Sequence, residues 1–337
     1  MKEWKMLESN TRKFIQGLEA LGGPPIYQLT YEQAREVLNR AQAEAKVRKL
    51  PVDARDEVLP VGPSGKVSVR IVRPEGQPDE RPDRRKDALP VVLYTHGGGW
   101  VLGNQETHDR LIREIAVGSE SVVVFVNYTP APEARFPTQI EEAYAVMRYI
   151  SEQSTKLAID PSRLAVVGES AGGNMAATLA MMAKERGGPR ILFQCLLYPV
   201  TDSDFDTPSY REFADGPWLT REAMKWFWNA YLPDETARQN PLASPMRASS
   251  ELLRDLPKTL LITDENDVLR DEGEAYAHKL MNADVEVTAL RMAGTIHDFM
   301  LLNAIADTPA VRAAIEFTCQ MLKDVFARED AVGAHAA

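Results

Sequence analysis

The 337-residue chain has only two cysteines, Cys195 and Cys319. Two cannot build a disulfide framework for a chain of this length. Cys195 falls in the apolar run 191–200 and reads as a buried small hydrophobe. No stretch of about 18 apolar residues exists, the minimum for a membrane-spanning helix. Positive charge is in deficit: 39 Lys and Arg stand against 49 Asp and Glu, a net charge of −10. Such a surface argues against nucleic acid and anionic membrane as partners. Gly and Pro number 20 and 22, far short of a low-complexity chain. The start, Met1-Lys2-Glu3-Trp4-Lys5, has no apolar h-region, which argues against a signal peptide; the expected compartment is the cytoplasm. The remainder is ordinary for a globular protein, 44% hydrophobic and 26% charged, and long enough to bury a core without staples.

Residues 1–50 read as helical. Trp4, Leu7, Phe14, Ile15, Leu18 and Leu21 recur at helical spacing, and Gly22-Gly23-Pro24-Pro25 stops the run. Thr30 and Gln33 match a capping box opening a second helix. Two amphipathic helices without a strand need something to lie on, so 1–54 is expected to be a helical cap segment. Residues 66–73 alternate as an early strand, and the Pro-, Asp- and Arg-rich 74–87 reads as a solvated loop. Short continuous apolar runs follow at 91–94, 122–126, 164–167, 191–197 and 259–262. Runs of this kind mark strands buried on both faces of a parallel sheet. Helical patterns lie between them, which predicts a doubly wound α/β layout. Residues 202–250 break the alternation with an aromatic-rich helix carrying Phe227 and Trp228. The expected division is therefore a catalytic domain of 55–201 plus 251–327, an inserted cap of 202–250, and a disordered tail of 328–337. Trp100, Trp218 and Phe227 are expected to form an apolar wall against substrate.

Gly168-Glu169-Ser170-Ala171-Gly172 follows one predicted strand and precedes a predicted helix. In that context G-x-S-x-G places a nucleophilic serine on a tight strand-to-helix turn, at a helix N-terminus that favours developing negative charge. His96-Gly97-Gly98-Gly99-Trp100 follows another strand. A glycine run exposes backbone N–H donors, and acyl transfer needs such donors for its oxyanion. The expected donors are Gly98, Gly99 and Ala171, with His96 an internal hydrogen-bond partner. Of five histidines, His297 alone sits late in the chain and just past the last predicted strand, where the base of such a triad belongs. The acid is left open by the residues themselves: Asp264, Glu265, Asp267 and Asp271 all follow the strand at 259–263.

Together these motifs, with Ala131-Pro132-Glu133, Phe136-Pro137 and the run Asp267-Val268-Leu269-Arg270-Asp271-Glu272-Gly273, resemble the hormone-sensitive-lipase family of α/β-hydrolases, the bacterial family IV esterases. The resemblance spans roughly residues 60–325. It implies Asp267 as the acid, an α/β-hydrolase fold with an eight-stranded, mostly parallel sheet, and a cap built from the N-terminus and the insertion. It also implies no metal or organic cofactor, a small-molecule ester as partner, and a homodimer through the last strand and helix. There are three departures from the family pattern: Glu169 for a common Asp, Asn127-Tyr128-Thr129-Pro130 before Ala131, and Asp298 where glycine is usual.

The expected function is hydrolysis of short- to medium-chain carboxylic esters by Ser170, His297 and Asp267 through an acyl-enzyme. Two other readings compete. The same residues would serve an amide, carbamate or formyl hydrolase. A non-catalytic ligand receptor would share the fold and cap but lack the histidine, and His297 is present.

Overall fold

A computed structural model describes residues 6–76 and 88–335; Trp4 and most of the 74–87 loop lie outside the described residues. Among the described residues eight strands form one sheet: β1 (Val52–Leu59), β2 (Val67–Pro74), β3 (Leu89–Thr95), β4 (Val122–Asn127), β5 (Ile159–Glu169), β6 (Phe193–Leu197), β7 (Lys258–Asn266) and β8 (Val287–Ile296). Their order is β1-β2-β4-β3-β5-β6-β7-β8. β2 is antiparallel to β1 and β4, and every other pair is parallel. Among the described residues ten α-helices accompany them: α1 (Ser9–Leu21), α2 (Tyr31–Glu44), α3 (Asp109–Ser119), α4 (Thr138–Glu152), α5 (Ala171–Arg186), α6 (Pro208–Glu212), α7 (Arg221–Tyr231), α8 (Ser250–Leu253), α9 (Arg270–Met281) and α10 (Pro309–His335).

The continuous apolar runs follow from helices covering both faces of the sheet. Val91, Leu93, Val124 and Val166 pack under α4 and α5. Their chain neighbours Val92, Tyr94, Val123 and Val167 point the other way, toward α3 and α10. β1 escaped the sequence reading because it is an edge strand of half charged residues (VDARDEVL). Its ladder is secured by a cross-strand ion pair between Asp56 and Arg70 at 2.7 Å, not by an apolar face. The capping box of α2 is formed: the Thr30 side chain accepts from Gln33 N while the Gln33 side chain accepts from Thr30 N. Caps of this kind stabilise a helix by about 1 kcal/mol.

The tail expected from residue 328 differs. α10 continues as helix through His335, because 327–332 holds Ala, Arg and Glu and no proline to stop it. No helix among the described residues is long and apolar enough to cross a membrane.

Candidate active site

Ser170 occupies the turn between β5 and α5 with φ +54°, a left-handed conformation costly for a side-chain-bearing residue. The turn is this tight because Gly168 and Gly172 leave no gap. A Cβ on Gly168 would overlap the Gly172 carbonyl, and one on Gly172 would overlap the Thr95 carbonyl. The turn is locked from outside, since Ser170 N donates to Leu197 O at 2.9 Å and Val200 N donates to Ser170 O at 3.1 Å.

His297 follows β8 and Asp267 follows β7, so both lie at the same sheet end as Ser170. His297 Nε2 faces Ser170 Oγ at 2.9 Å and Nδ1 faces Asp267 Oδ2 at 2.8 Å. Asp267 Oδ1 accepts from Leu269 N at 3.1 Å, and Asn266 Nδ2 ties the two loops by donating to Thr295 O at 3.0 Å. All three functional side chains are buried. Burial pushes the His297 pKa down, but the carboxylates of Asp267 and Asp298 outweigh it and raise it to about 9.

Asp264, the rival acid, sits beside this pair and makes no hydrogen bond through either carboxyl oxygen. Burial, then the charges of Asp267 and Asp298, push its pKa well above the usual carboxylate range. Asp264, Asp267 and His297 bring one ligand atom each within 4.8 Å of one another. Both ring nitrogens of His297 already face Asp267 and Ser170, so this trio does not suit a resident metal.

Gly98 and Gly99 have φ of +94° and +61°, the left-handed region that glycine enters without strain. Neither amide donates to a backbone carbonyl among the described residues. Ala171 is the first residue of α5 and has no intrahelical acceptor. A Cβ on Gly99 would enter the Phe227 ring. Gly99→Ala is therefore expected to twist the loop and lower kcat about 10²–10³-fold, the loss typical of one oxyanion donor. Steady-state kinetics beside a thermal melt would check this.

Glu169, which departs from the family pattern, anchors the glycine loop through its buried carboxylate. It accepts from Gly97 N, from Tyr94 Oη at 2.6 Å and pairs with His108 Nε2 at 2.7 Å. His108 carried no recognisable signal in the sequence. His96 is buried and stacks on Tyr128 at 4.1 Å. Its Nδ1 lies 2.8 Å from Gly97 O, and burial with neighbouring His108 lowers its pKa to about 3. It is a neutral internal partner.

A cavity of about 290 Å³ opens above Ser170 and His297. Residues Gly22, Pro24 to Tyr27, Val37 and Leu38 of the N-terminal segment line one side, and Trp218 to Thr220, Ala223, Met224 and Phe227 of the insertion line another. Trp100 does not line it. Its fully buried ring stacks on Tyr231 at 4.1 Å and meets Trp228 at 5.0 Å. The left-handed turn through Gly98, Gly99 and Trp100 carries that side chain behind the loop, so it is a packing residue and the substrate contact expected of it is withdrawn.

The other motif residues fasten the cap. Arg35 of α2 forms a two-pronged pair with Glu133 at 2.7 Å and also donates to Val101 O and Ala131 O. Glu272 accepts from Thr201 N and Asp202 N, and Asp271 accepts from Ser209 N. Trp218 Nε1 donates to Asp298 Oδ2 at 2.8 Å.

Residues 92–301 match the model of the α/β-hydrolase fold family. A thermostable esterase from Pseudomonas putida of known structure is 46% identical, with a TM-score of 0.92, over 96% of this chain and 99% of that one. The carboxylesterase NlhH of Mycobacterium tuberculosis is 40% identical over 64% of this chain and 68% of its own. An esterase of Gibberella moniliformis is 31% identical over 93% and 94%. The chain belongs to the α/β-hydrolase family, hormone-sensitive-lipase type. It is a carboxylesterase, and its sheet, glycine loop and serine turn are the parts of that fold seen above.

Proposed function

We propose that this carboxylesterase hydrolyses short- to medium-chain acyl esters in two steps, through an acyl-enzyme on Ser170. The observation that carries the reading is the unbroken chain Ser170 Oγ–His297 Nε2, His297 Nδ1–Asp267 Oδ2, at 2.9 and 2.8 Å, below two free glycine amides. Ser170 Oγ attacks the carbonyl carbon as His297 Nε2 takes its proton. The amides of Gly98, Gly99 and Ala171 receive the oxyanion. His297 then protonates the departing alkoxide, and a water activated by the same nitrogen releases the acid. Asp267 holds Nδ1 protonated and stabilises the imidazolium. The cavity's limited volume and apolar lining support the acyl-length range. Two unpaired buried thiols, Cys195 and Cys319, suit a reducing, cytoplasmic setting. β8, an open sheet edge, is the surface through which a homodimer would form.

The test is a matched assay of p-nitrophenyl acetate, butyrate and octanoate with an anilide and a carbamate. Butyrate is expected to be cleaved at least tenfold faster than octanoate, with the anilide inert. Preferred cleavage of the anilide or carbamate would replace the ester reading.

The pH profile is a further expected outcome. Only neutral His297 can take the serine proton. With its pKa raised to about 9, kcat/KM should climb from pH 6 toward about pH 9 instead of levelling near the ordinary histidine value of ~6.5. Asp298→Asn removes one of the two carboxylates holding it up and should move the limb to lower pH. A profile already flat above pH 7 would contradict this.

A further inference from the structure

Gln42 lies near the end of α2, in the N-terminal cap segment, yet it is buried. It does not line the cavity. Its side chain reaches two loops that come from distant parts of the chain. Nε2 donates to Thr107 O and, at 3.0 Å, to Leu301 O. Oε1 accepts from Asn303 N at 2.9 Å, and the backbone carbonyl of Gln42 accepts from Asn303 Nδ2 at 2.9 Å. One amide therefore satisfies two carbonyls and an N–H in a setting where an unmade hydrogen bond is costly.

Each loop carries part of the catalytic machinery. Thr107 precedes His108, whose Nε2 pairs with Glu169 at 2.7 Å. Glu169 in turn accepts from Gly97 N, next to the free amides of Gly98 and Gly99. On the other side, Leu301 and Asn303 belong to the turn that begins at His297. That turn is closed by Leu301 N and Leu302 N, which both donate to Asp298 O, at 2.8 and 2.9 Å. Arg110 of α3 grips the same turn at Met300 O, Leu301 O and Asn303 Oδ1. The turn that carries the base is thus clamped between one residue of the catalytic domain and one of the cap. Such clamps matter to rate, because a misplacement of about 1 Å far from the chemistry can cost on the order of 10²-fold.

We propose that Gln42 is a positioning residue for ester hydrolysis. From the cap, and without touching substrate, it holds the His297 turn and the loop that props the glycine amides in one register. Proton transfer and oxyanion binding are then competent only with α2 in place. This rests on the ester-hydrolysis reading above, with Ser170 and His297 in their assigned roles.

The experiment measures kcat and KM for p-nitrophenyl acetate and p-nitrophenyl butyrate at pH 8, well below each protein's melting temperature. The variants are Gln42→Met, which keeps length and helix propensity but removes every side-chain hydrogen bond, and Gln42→Glu, which keeps the acceptor for Asn303 N and loses the amide donors. Arg40→Met, at an exposed site of the same helix, is the control and should match the wild type. For Gln42→Met, kcat is expected to fall about 10- to 100-fold, equally on both esters, with KM within threefold. Gln42→Glu should fall on both esters too. The split is what separates positioning from a packing role: a loss of stability alone leaves the kcat of folded enzyme unchanged, and a reshaped cavity raises KM and hurts butyrate more than acetate. A kcat for Gln42→Met within threefold of the wild type, a loss confined to KM, or a loss confined to butyrate would overturn the proposal. Should Gln42→Met not fold, the same three outcomes in Gln42→Glu decide it. Failure of the wild type to cleave p-nitrophenyl acetate and butyrate at all would instead strike at the ester reading.

Discussion

Ser170→Ala is expected to lower kcat for p-nitrophenyl butyrate by about 10⁵–10⁶, the scale on which losing the nucleophile costs a serine hydrolase. The fold should survive. The substitution removes one oxygen, and the turn is held by the backbone of Ser170 through Leu197 and Val200, not by the hydroxyl. Two measurements separate chemistry from structure. A thermal melt should stay within a few degrees of the wild type, and the burst of p-nitrophenol that marks acyl-enzyme build-up should vanish. A burst that persisted in this variant would move the nucleophile elsewhere. Residual hydrolysis above the uncatalysed rate is expected, because the amides of Gly98, Gly99 and Ala171 would still polarise the carbonyl.

Asp267→Asn should cost about 10⁴ in kcat with little change in KM. An amide that turns its N–H toward Nδ1 fixes the wrong imidazole tautomer, and that change has this effect in the best-studied triad. The companion variant is Asp264→Asn. Asp264 is buried beside the same histidine, with its pKa pushed up by burial and the neighbouring carboxylates, and makes no hydrogen bond through its carboxyl. Its amide isostere should hold kcat within about tenfold. Equal damage from the two changes would mean that the carboxyls act as a unit, and greater damage from Asp264→Asn would transfer the acid role to it.

Much of the fold was legible because its central strands are buried on both faces. Val122 to Val126 cannot be anything but strand interior when α3 lies on one side and α4 on the other. β1 was not, since an edge strand answers to one neighbour and Asp56 meets Arg70 where an apolar pair would have shown a pattern. The serine turn and the glycine loop were readable because local backbone geometry demands glycine there. His108 was unreadable: its importance arises only when β3, β5 and α3 bring it to Glu169, 61 residues away. Trp100 misled for a related reason. An aromatic beside a glycine loop is as compatible with facing the cavity as with backing away from it, and the φ of +61° decides the matter. The acid followed from the resemblance, since four carboxylates after one strand are equivalent until β8 supplies the imidazole.

Arg35 has a consequence for how substrates are admitted. One guanidinium grips Glu133 and the carbonyls of Val101 and Ala131, so the second helix of the roof is fastened to the segment just downstream of the reactive amides. Lifting the roof to pass a bulky guest would disturb the row of donors that the guest needs for turnover. Gln42, further along the same helix, donates to Thr107 O and Leu301 O, so the roof is pinned at both ends of α2, and small esters that fit beneath it seated need break neither tie.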